Sequence, residues 1–549
     1  MFKRVIKLLF TCMFCTIMTM VAFNGTAPIK AAGDITVNAT VAKQTIKGFG
    51  GMNHPAWIGD LTESQRTTAF GNNDGQIGMS ILRMFVDENS NNWSREIATA
   101  QRAIALGATV FASPWNPPSS MTEVVNGKKR LRYNQYGAYT NHLNSFISYM
   151  KQNGVNLYAI SIQNEPDYAY DWTWWTATEI VNYLKQNAAS LQTRVIAPES
   201  FQYVKSMSDP ILNDSGALAN MDILGAHLYG TALSNYPYPL FKQKGQGKEL
   251  WMTEVYTDST SDADSWPNAL DVAYNIHNSM VEAEFNAYVW WYIRRSYGMI
   301  KENGLVSKRG YCMAQFSKFI RPGYVRVDAT KNPTTDVYVS AYKSDQKIVV
   351  VAVNRGASSK NLSLTVNGET VQTFTKYTTS GSKNVQNDGT VINSNGSFPL
   401  SLDAQSVTTF VGSLTGSTPT PTPTPTTTVT PTPTATVTPT PSGDYGVVYT
   451  VQNDWGSGAT VDVKIINHTP TAVNGWTLAW TFPGNQTISN IWNGTYTQNG
   501  ASITVKNAAY NANIPANGGS LNFGFNLNYN GQNAKPTAFT LNGTVCRIQ

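Results

Sequence analysis

Cysteine is scarce in this chain. Four occur in 549 residues, and two of them, Cys12 and Cys15, fall in the N-terminal segment, which leaves Cys312 and Cys546 far apart in sequence. That excludes a disulfide scaffold, so stability must come from core packing. No Cys/His cluster has ligand spacing, so no structural zinc is expected, and no metal or organic cofactor is called for. Charge is also sparse. The formal net charge of +6 is small for this length and comes without a long basic run, which gives no case for nucleic acid while remaining compatible with weak attraction to an acidic polymer. Finally, no uninterrupted apolar run reaches the roughly 20 residues of a membrane span. The N-terminal "MFKRVIKLLFTCMFCTIMTMVAF", with Lys3, Arg4 and Lys7 ahead of a short apolar run and Ala31 and Ala32 behind it, reads as a secretory signal peptide over residues 1–32. The expectation is a secreted, extracellular protein with no membrane association after cleavage, acting as a monomer.

What the chain does have is material for more than one domain. Residues 415–443 are almost wholly Thr and Pro. Such a segment cannot bury enough apolar surface to fold and is biased toward extended polyproline II, so it is a semi-rigid spacer. The module after it, residues 444–549, is small. Before it, eight short apolar segments alternate with helical patterns: "TIKGFGGM", "SILRMFV", "TVFASPW", "YAISIQN", "RVIAPE", "MDILGAHLY", "ELWMTEV" and "AYVWWYI". Stretches such as "YTNHLNSFISYMKQNG" between them repeat apolar residues at three and four. The pattern predicts an α/β fold with a closed (β/α)8 TIM barrel over residues 46–317, with a doubly wound open sheet as the alternative. Residues 318–414 change to alternating strands without long helices and predict an antiparallel side β-sandwich, to which residues 34–45 contribute a strand. The barrel is then an insertion into that sandwich.

In such a barrel the strand C-termini and the loops after them form the active face. Acids at those positions are Asp87, Glu165, Glu199 and Glu254. Glu165 and Glu254, after the fourth and seventh strands, would face each other across the mouth. Glycoside hydrolysis needs such a pair, one acid to protonate the leaving oxygen and one carboxylate to attack the anomeric carbon or activate water.

The segments "GFGGMNHPAWIGDL", "SPWNPPSSM", "QNEPDY", "GAHLYG", "WMTEVYTDS" and "VWWYIRRSYG" resemble, in this order, glycoside hydrolase family 30, and within it the bacterial glucuronoxylanase subfamily; the similarity spans about residues 34–414. The resemblance implies Glu165 as general acid/base, Glu254 as nucleophile and retention of configuration. It matches Asn164 to a contact with the sugar 2-hydroxyl and Tyr229 to a contact with the nucleophile, with His227 nearby and Arg83 as the nucleophile's support. Trp115, Trp172 and Trp291 match cleft tryptophans. Arg295 and Tyr297 of "RRSYG", with Tyr256 and Ser259, match contacts to a methylglucuronic acid branch on xylan, a role that suits the bidentate guanidinium. The implied activity is a branch-dependent endo-β-1,4-xylanase acting on glucuronoxylan. Other family 30 activities, β-1,6-glucanase or xylobiohydrolase, are the enzymatic alternatives, and a non-catalytic lectin of the plant cell wall is the third.

The last hundred residues, with "GWTLAWTF" and "ISNIWNGTYTQNG", resemble the family 2 carbohydrate-binding module. That implies a β-sandwich with a cellulose-binding row at Trp455, Trp492 and Tyr510, while Trp476 and Trp480 read as core. The family's usual terminal disulfide is broken here. Cys546 holds the second position, but Tyr445 stands at the first, so Cys546 is expected to be a free thiol.

Overall fold

The computed structural model describes residues 33–414 and 444–548, apart from 169–171, 258, 260, 509, 510 and 537. The expected signal segment and Thr/Pro spacer lie outside the described residues. All eight anticipated segments are parallel barrel strands: β1 (Gly48–Met52), β2 (Ile81–Val86), β3 (Thr109–Pro114), β4 (Ala159–Ser161), β5 (Arg194–Ser200), β6 (Ile223–His227), β7 (Glu249–Val255) and β8 (Ala287–Trp290). The sheet closes, because β8 pairs with β1 through Ala287↔Gly48 and Trp290↔Gly51. An open doubly wound sheet is thereby ruled out. The interior is filled by Ile81, Phe111, Ile196, Ile223, Trp251 and Val289, with the small Ala159 and Ala287 leaving room for the large Trp251 and Phe111.

The outer helices form where periodicity predicts them. Helix Tyr136–Gln152 buries Tyr136, Tyr139, Leu143, Phe146, Ile147 and Met150, one stripe at three- and four-residue spacing. Each such large apolar side chain contributes about 1.5–3 kcal/mol by leaving water. Helix Ala177–Gln186 starts at a capping box in which the Thr176 hydroxyl accepts from the Glu179 amide and Glu179 accepts from the Thr176 amide.

The side domain is a single nine-stranded sheet that curls on itself, with Phe374 and Phe398 from opposite ends meeting edge to face at 4.8 Å. Strand Asp34–Thr45 sits inside it, antiparallel to Val325–Ala329 and parallel to Lys360–Asn367, so the barrel is inserted between the first strand of this sheet and the rest. Register shifts near Ala42 bend that strand and help the sheet curl. The sheet is fastened to the barrel through helix Lys308–Ser317: the Thr409 hydroxyl donates to the Gln315 carbonyl at 2.7 Å, and the Gln315 amide donates to the Thr379 hydroxyl at 2.9 Å.

The C-terminal module consists of two five-stranded sheets and a two-stranded pair around a separate core containing Trp476 and Trp480, as their place in an alternating strand implies. Cys546 is a buried free thiol, raised to about 11 by burial. Gly446 pairs with Arg547, so Tyr445 stands one residue back from the same pairing as Cys546, where no disulfide can form. Among the described residues, no helix is long and apolar enough to cross a membrane.

Candidate active site

The C-terminal mouth of the barrel gathers three carboxylates around two cations. Beyond β4 the chain is tied to both neighbours: Asn164 N–H donates to the Pro114 carbonyl at 2.8 Å, and Glu165 N–H to the Glu199 carbonyl at 3.2 Å. Glu165 and Glu199 both adopt left-handed backbone conformations, φ 41° and 57°, which side-chain-bearing residues seldom take. Their main-chain bonds hold the two acids there, turned into the mouth from adjacent strands.

Arg83, fully buried on β2, reaches across the barrel opening. Its guanidinium donates to Glu254 Oε2 on β7, to Asn164 Oδ1 at 2.7 Å and to both Glu199 oxygens at 3.3 and 3.4 Å, while Nε donates to Ser113 at 3.2 Å. His227, at the end of β6, places Nδ1 2.8 Å from Glu165 Oε1 and Nε2 3.7 Å from Glu199. The Tyr229 hydroxyl donates to Glu254 Oε1 at 2.9 Å. Oxygens of Glu165 and Glu254 lie within 4.8 Å of each other.

These surroundings give the acids different protonation. Burial would raise Glu199, but the charge of Arg83, followed by His227, holds it well below the usual carboxylate range. Glu165 goes the other way. Burial and then the neighbouring Glu254 charge raise it to about 7, against the pull of His227 and Arg83. Burial opposes the charge on His227, yet Glu254, Glu165 and Glu199 together raise it to about 9. Two cations cannot neutralise three carboxylates, and Glu165 is the acid left to keep a proton. Glu165, His227 and Glu254 are also near enough to hold a metal ion. Their inward atoms are already engaged with one another, with Tyr229 and with Arg83, whose fixed charge opposes a dication.

Aromatic side chains wall the cleft. Trp115 is enclosed, 3% exposed, under the Arg83 guanidinium at 5.0 Å and beside Trp291 at 5.9 Å. Trp172 and Trp291 are half-buried, and the Trp172 indole donates to the Glu165 carbonyl at 3.2 Å. Tyr256 stacks on Tyr297 at 5.0 Å and meets Tyr229 edge-on at 5.4 Å. The two arginines of "RRSYG" part company. Arg294 turns inward to the Ile58, Gly59 and Asp60 carbonyls, whereas Arg295 stays at the rim, 43% exposed and 3.8 Å from Glu302. Ser259 is exposed.

Sequence reasoning left two members out. Glu199 stood among the strand-end acids without a task, although it is the counter-ion of Arg83 and His227. Trp57, 53% exposed, stands beside Trp115 and Trp291 with the buried His54 stacked beneath it at 4.0 Å. Its signal was its place in the loop directly after β1. Asp87, by contrast, serves its own loop, accepting from Asn89 N–H and the Asn92 amide.

On the C-terminal module, Trp492 is 38% exposed and Trp455 half-buried, while Tyr510 lies outside the described residues. Both rings lie against glycines of one sheet. A Cβ on Gly524 would meet the Trp492 ring at 2.4 Å, and one on Gly458 would meet the Trp455 indole nitrogen at 2.7 Å. The missing side chains let the indoles lie close to the sheet.

The chain is 58% identical over 416 residues to glucuronoxylanase XynC of Bacillus subtilis, covering 74% of this chain and 98% of the relative. It belongs to glycoside hydrolase family 30, subfamily 8. Among solved structures, a family 30 endoxylanase from Clostridium papyrosolvens superposes with a TM-score of 0.66 at 48% identity, over 69% of this chain and all of that one. A family 30 subfamily 8 xylanase from Clostridium acetobutylicum gives a TM-score of 0.64 at 39% identity, over 69% of this chain and 99% of that one. Residues 445–546 match the family model of a cellulose binding domain. The family 30 assignment covers the barrel with its side sheet, and the cellulose binding domain family covers the module beyond the Thr/Pro segment.

Proposed function

We infer that this family 30 enzyme is a secreted, retaining endo-β-1,4-xylanase that cleaves glucuronoxylan next to an acidic branch and is held on the plant cell wall by a cellulose-binding module. The observation that carries the reading is the pairing of two carboxylates less than 5 Å apart with an arginine at the cleft rim. A separation near 5 Å belongs to retaining glycosidases, and an inverting pair stands roughly 6.5–9.5 Å apart to admit water. Glu254, oriented by Tyr229 and Arg83, attacks the anomeric carbon while Glu165 gives its proton to the leaving oxygen. In the second half, Glu165 takes a proton from water, which attacks the same carbon and releases Glu254. Asn164, with its carbonyl oxygen engaged by Arg83, keeps its NH2 group for the sugar 2-hydroxyl. Arg295, with Tyr297, Tyr256 and Ser259, binds the branch carboxylate, so undecorated xylan is a poor substrate. Trp455, Trp492 and Tyr510 stack on cellulose.

Glu254→Ala is expected to lower turnover at least about a thousandfold while cellulose binding persists; measurable wild-type turnover would defeat the assignment. Proton NMR of early products should show retained β-configuration. Arg295→Ala is expected to lower kcat/KM on glucuronoxylan by about 10²-fold, the loss of one charge-assisted contact, with little change on arabinoxylan. Equal losses on both would remove branch recognition from the reading. Product branch positions from glucuronoxylan separate it from a β-1,6-glucanase or a xylobiohydrolase.

A further inference from the structure

Residues 122–131 form a hairpin that none of the functions above uses. Strands Thr122–Val125 and Lys128–Leu131 pair antiparallel, with Glu123↔Arg130 and Val125↔Lys128 opposite. The two-residue turn between them is Asn126-Gly127, both at positive φ, the geometry that matches strand twist in tight hairpins. The element is therefore a stiff projection. It follows β3 and docks on the loop after β4, the loop that leaves the acid/base. Trp172 holds the Glu165 carbonyl, the Thr173 hydroxyl donates to Asn116 Oδ1 at 3.1 Å, Lys129 Nζ donates to the same oxygen at 3.2 Å, and Trp174 N–H donates to the Lys129 carbonyl at 2.9 Å.

The hairpin is basic. Arg130 is committed to Glu179, but Lys128 and Lys129 are exposed and have no carboxylate partner among the described residues. Lys128 Nζ sits over the Trp174 ring at 4.3 Å, with the Arg130 guanidinium at 5.0 Å from the same ring. One ammonium group, that of Lys128, is thus positioned over the Trp174 indole, and a second, that of Lys129, rests on Asn116 Oδ1, both beside the loop that leaves Glu165. Arg295 stands at the other side of the cleft, after β8, next to the nucleophile strand.

We propose that this hairpin is a second acid-recognising subsite, in which Lys128 and Lys129 bind the carboxylate of a uronic acid branch on the leaving-group portion of the chain. The proposal rests on the glucuronoxylan reading and extends it: the preferred cleavage point has an acidic branch on both sides.

The test uses the full-length enzyme with the double variant Lys128→Gln/Lys129→Gln on two xylo-oligosaccharides, one carrying an acidic branch on each side of the cleaved bond and one carrying only the branch that faces Arg295. The expected result is about a fivefold loss of kcat/KM on the doubly branched substrate, mainly through KM, as suits two exposed charge contacts. The singly branched substrate should be unaffected, Lys128→Arg/Lys129→Arg should restore the rate, and about 0.5 M salt should erase the difference. Equal losses on the two oligosaccharides, or no loss on either, would overturn the subsite. If the wild-type enzyme cleaves unbranched xylan as fast as branched xylan, the Arg295 reading fails, and the comparison of the two oligosaccharides still decides the hairpin.

Discussion

Glu165 and Glu254 are the same residue type at equivalent strand ends, and their surroundings give them different partners. Glu254 is held by two donors, Arg83 and Tyr229. Glu165 has His227 as its side-chain partner and lies beside the charge of Glu254, so its proton is retained to about pH 7. In the proposed role of general acid Glu165 must be protonated, and such an acid loses activity as pH rises through its pKa, so kcat/KM should fall with a basic limb near pH 7. Replacing the cation beside Glu165, His227→Gln, removes a pull that opposes the upward shift. That variant should move the basic limb to higher pH, and a pH profile of kcat/KM checks it; an unmoved or downward-shifted limb would exclude His227 as the tuning group. The sequence made both glutamates legible because strand ends and motifs mark them. It did not reveal Glu199 as the counter-charge, because its role depends on Arg83 reaching over from a strand three places away in the barrel.

At the scale of elements, strand position places the chemistry. Each side chain of the carboxylate cluster sits on or just beyond a barrel strand, and the strands were legible because short apolar runs alternate with amphipathic helices. β1 is the exception to ordinary strand composition, with Gly48, Gly50 and Gly51 in five residues. A Cβ on Gly50 would meet the Ile81 carbonyl oxygen at 1.9 Å, which is backbone and cannot step aside. Gly50→Ala is therefore expected to destabilise the barrel by about 1–3 kcal/mol, readable as a lower urea midpoint with unchanged slope; a neutral result would mean that β1 can shift away from β2. The hairpin at residues 122–131 escaped the sequence reading because it is short, exposed and charged, and its Asn-Gly turn gained meaning only from the loop it rests on. The side domain differed in form from two facing sheets. Its strands share one hydrogen-bonded sheet, because closure through curling satisfies the same alternating pattern as a sandwich does.

At the scale of the whole molecule, the core of the C-terminal module is separate from those of the barrel and its side sheet. The barrel core runs on into the side sheet through Tyr342, Val349, Val351, Val353 and Val407, whereas the C-terminal module has a core that shares no residue with it. A core that shares no residue with its neighbour, joined to it through a Thr/Pro spacer, implies independent folding of the module. Removing residues 415–549 is therefore expected to leave kcat/KM on soluble xylan within about twofold and to abolish retention on cellulose, measured by activity assay and pull-down. A large loss on soluble substrate would show that the module contributes to catalysis.

Composition and periodicity alone determined the separation into a large and a small module, the eight barrel strands, the insertion of the barrel into a β-domain and the two glutamates at strand ends. These follow from local chemistry: a run of Thr and Pro cannot bury enough apolar surface to fold, apolar periodicity selects helix or strand, and strand ends in such barrels face one mouth. Only the tertiary structure decided which acid keeps its proton, which of the adjacent Arg294 and Arg295 stays at the rim, and where Lys128 and Lys129 stand relative to Glu165. Those properties depend on burial and on charges brought together from distant segments, and Coulomb energies are set by distances in space that no sequence spacing encodes.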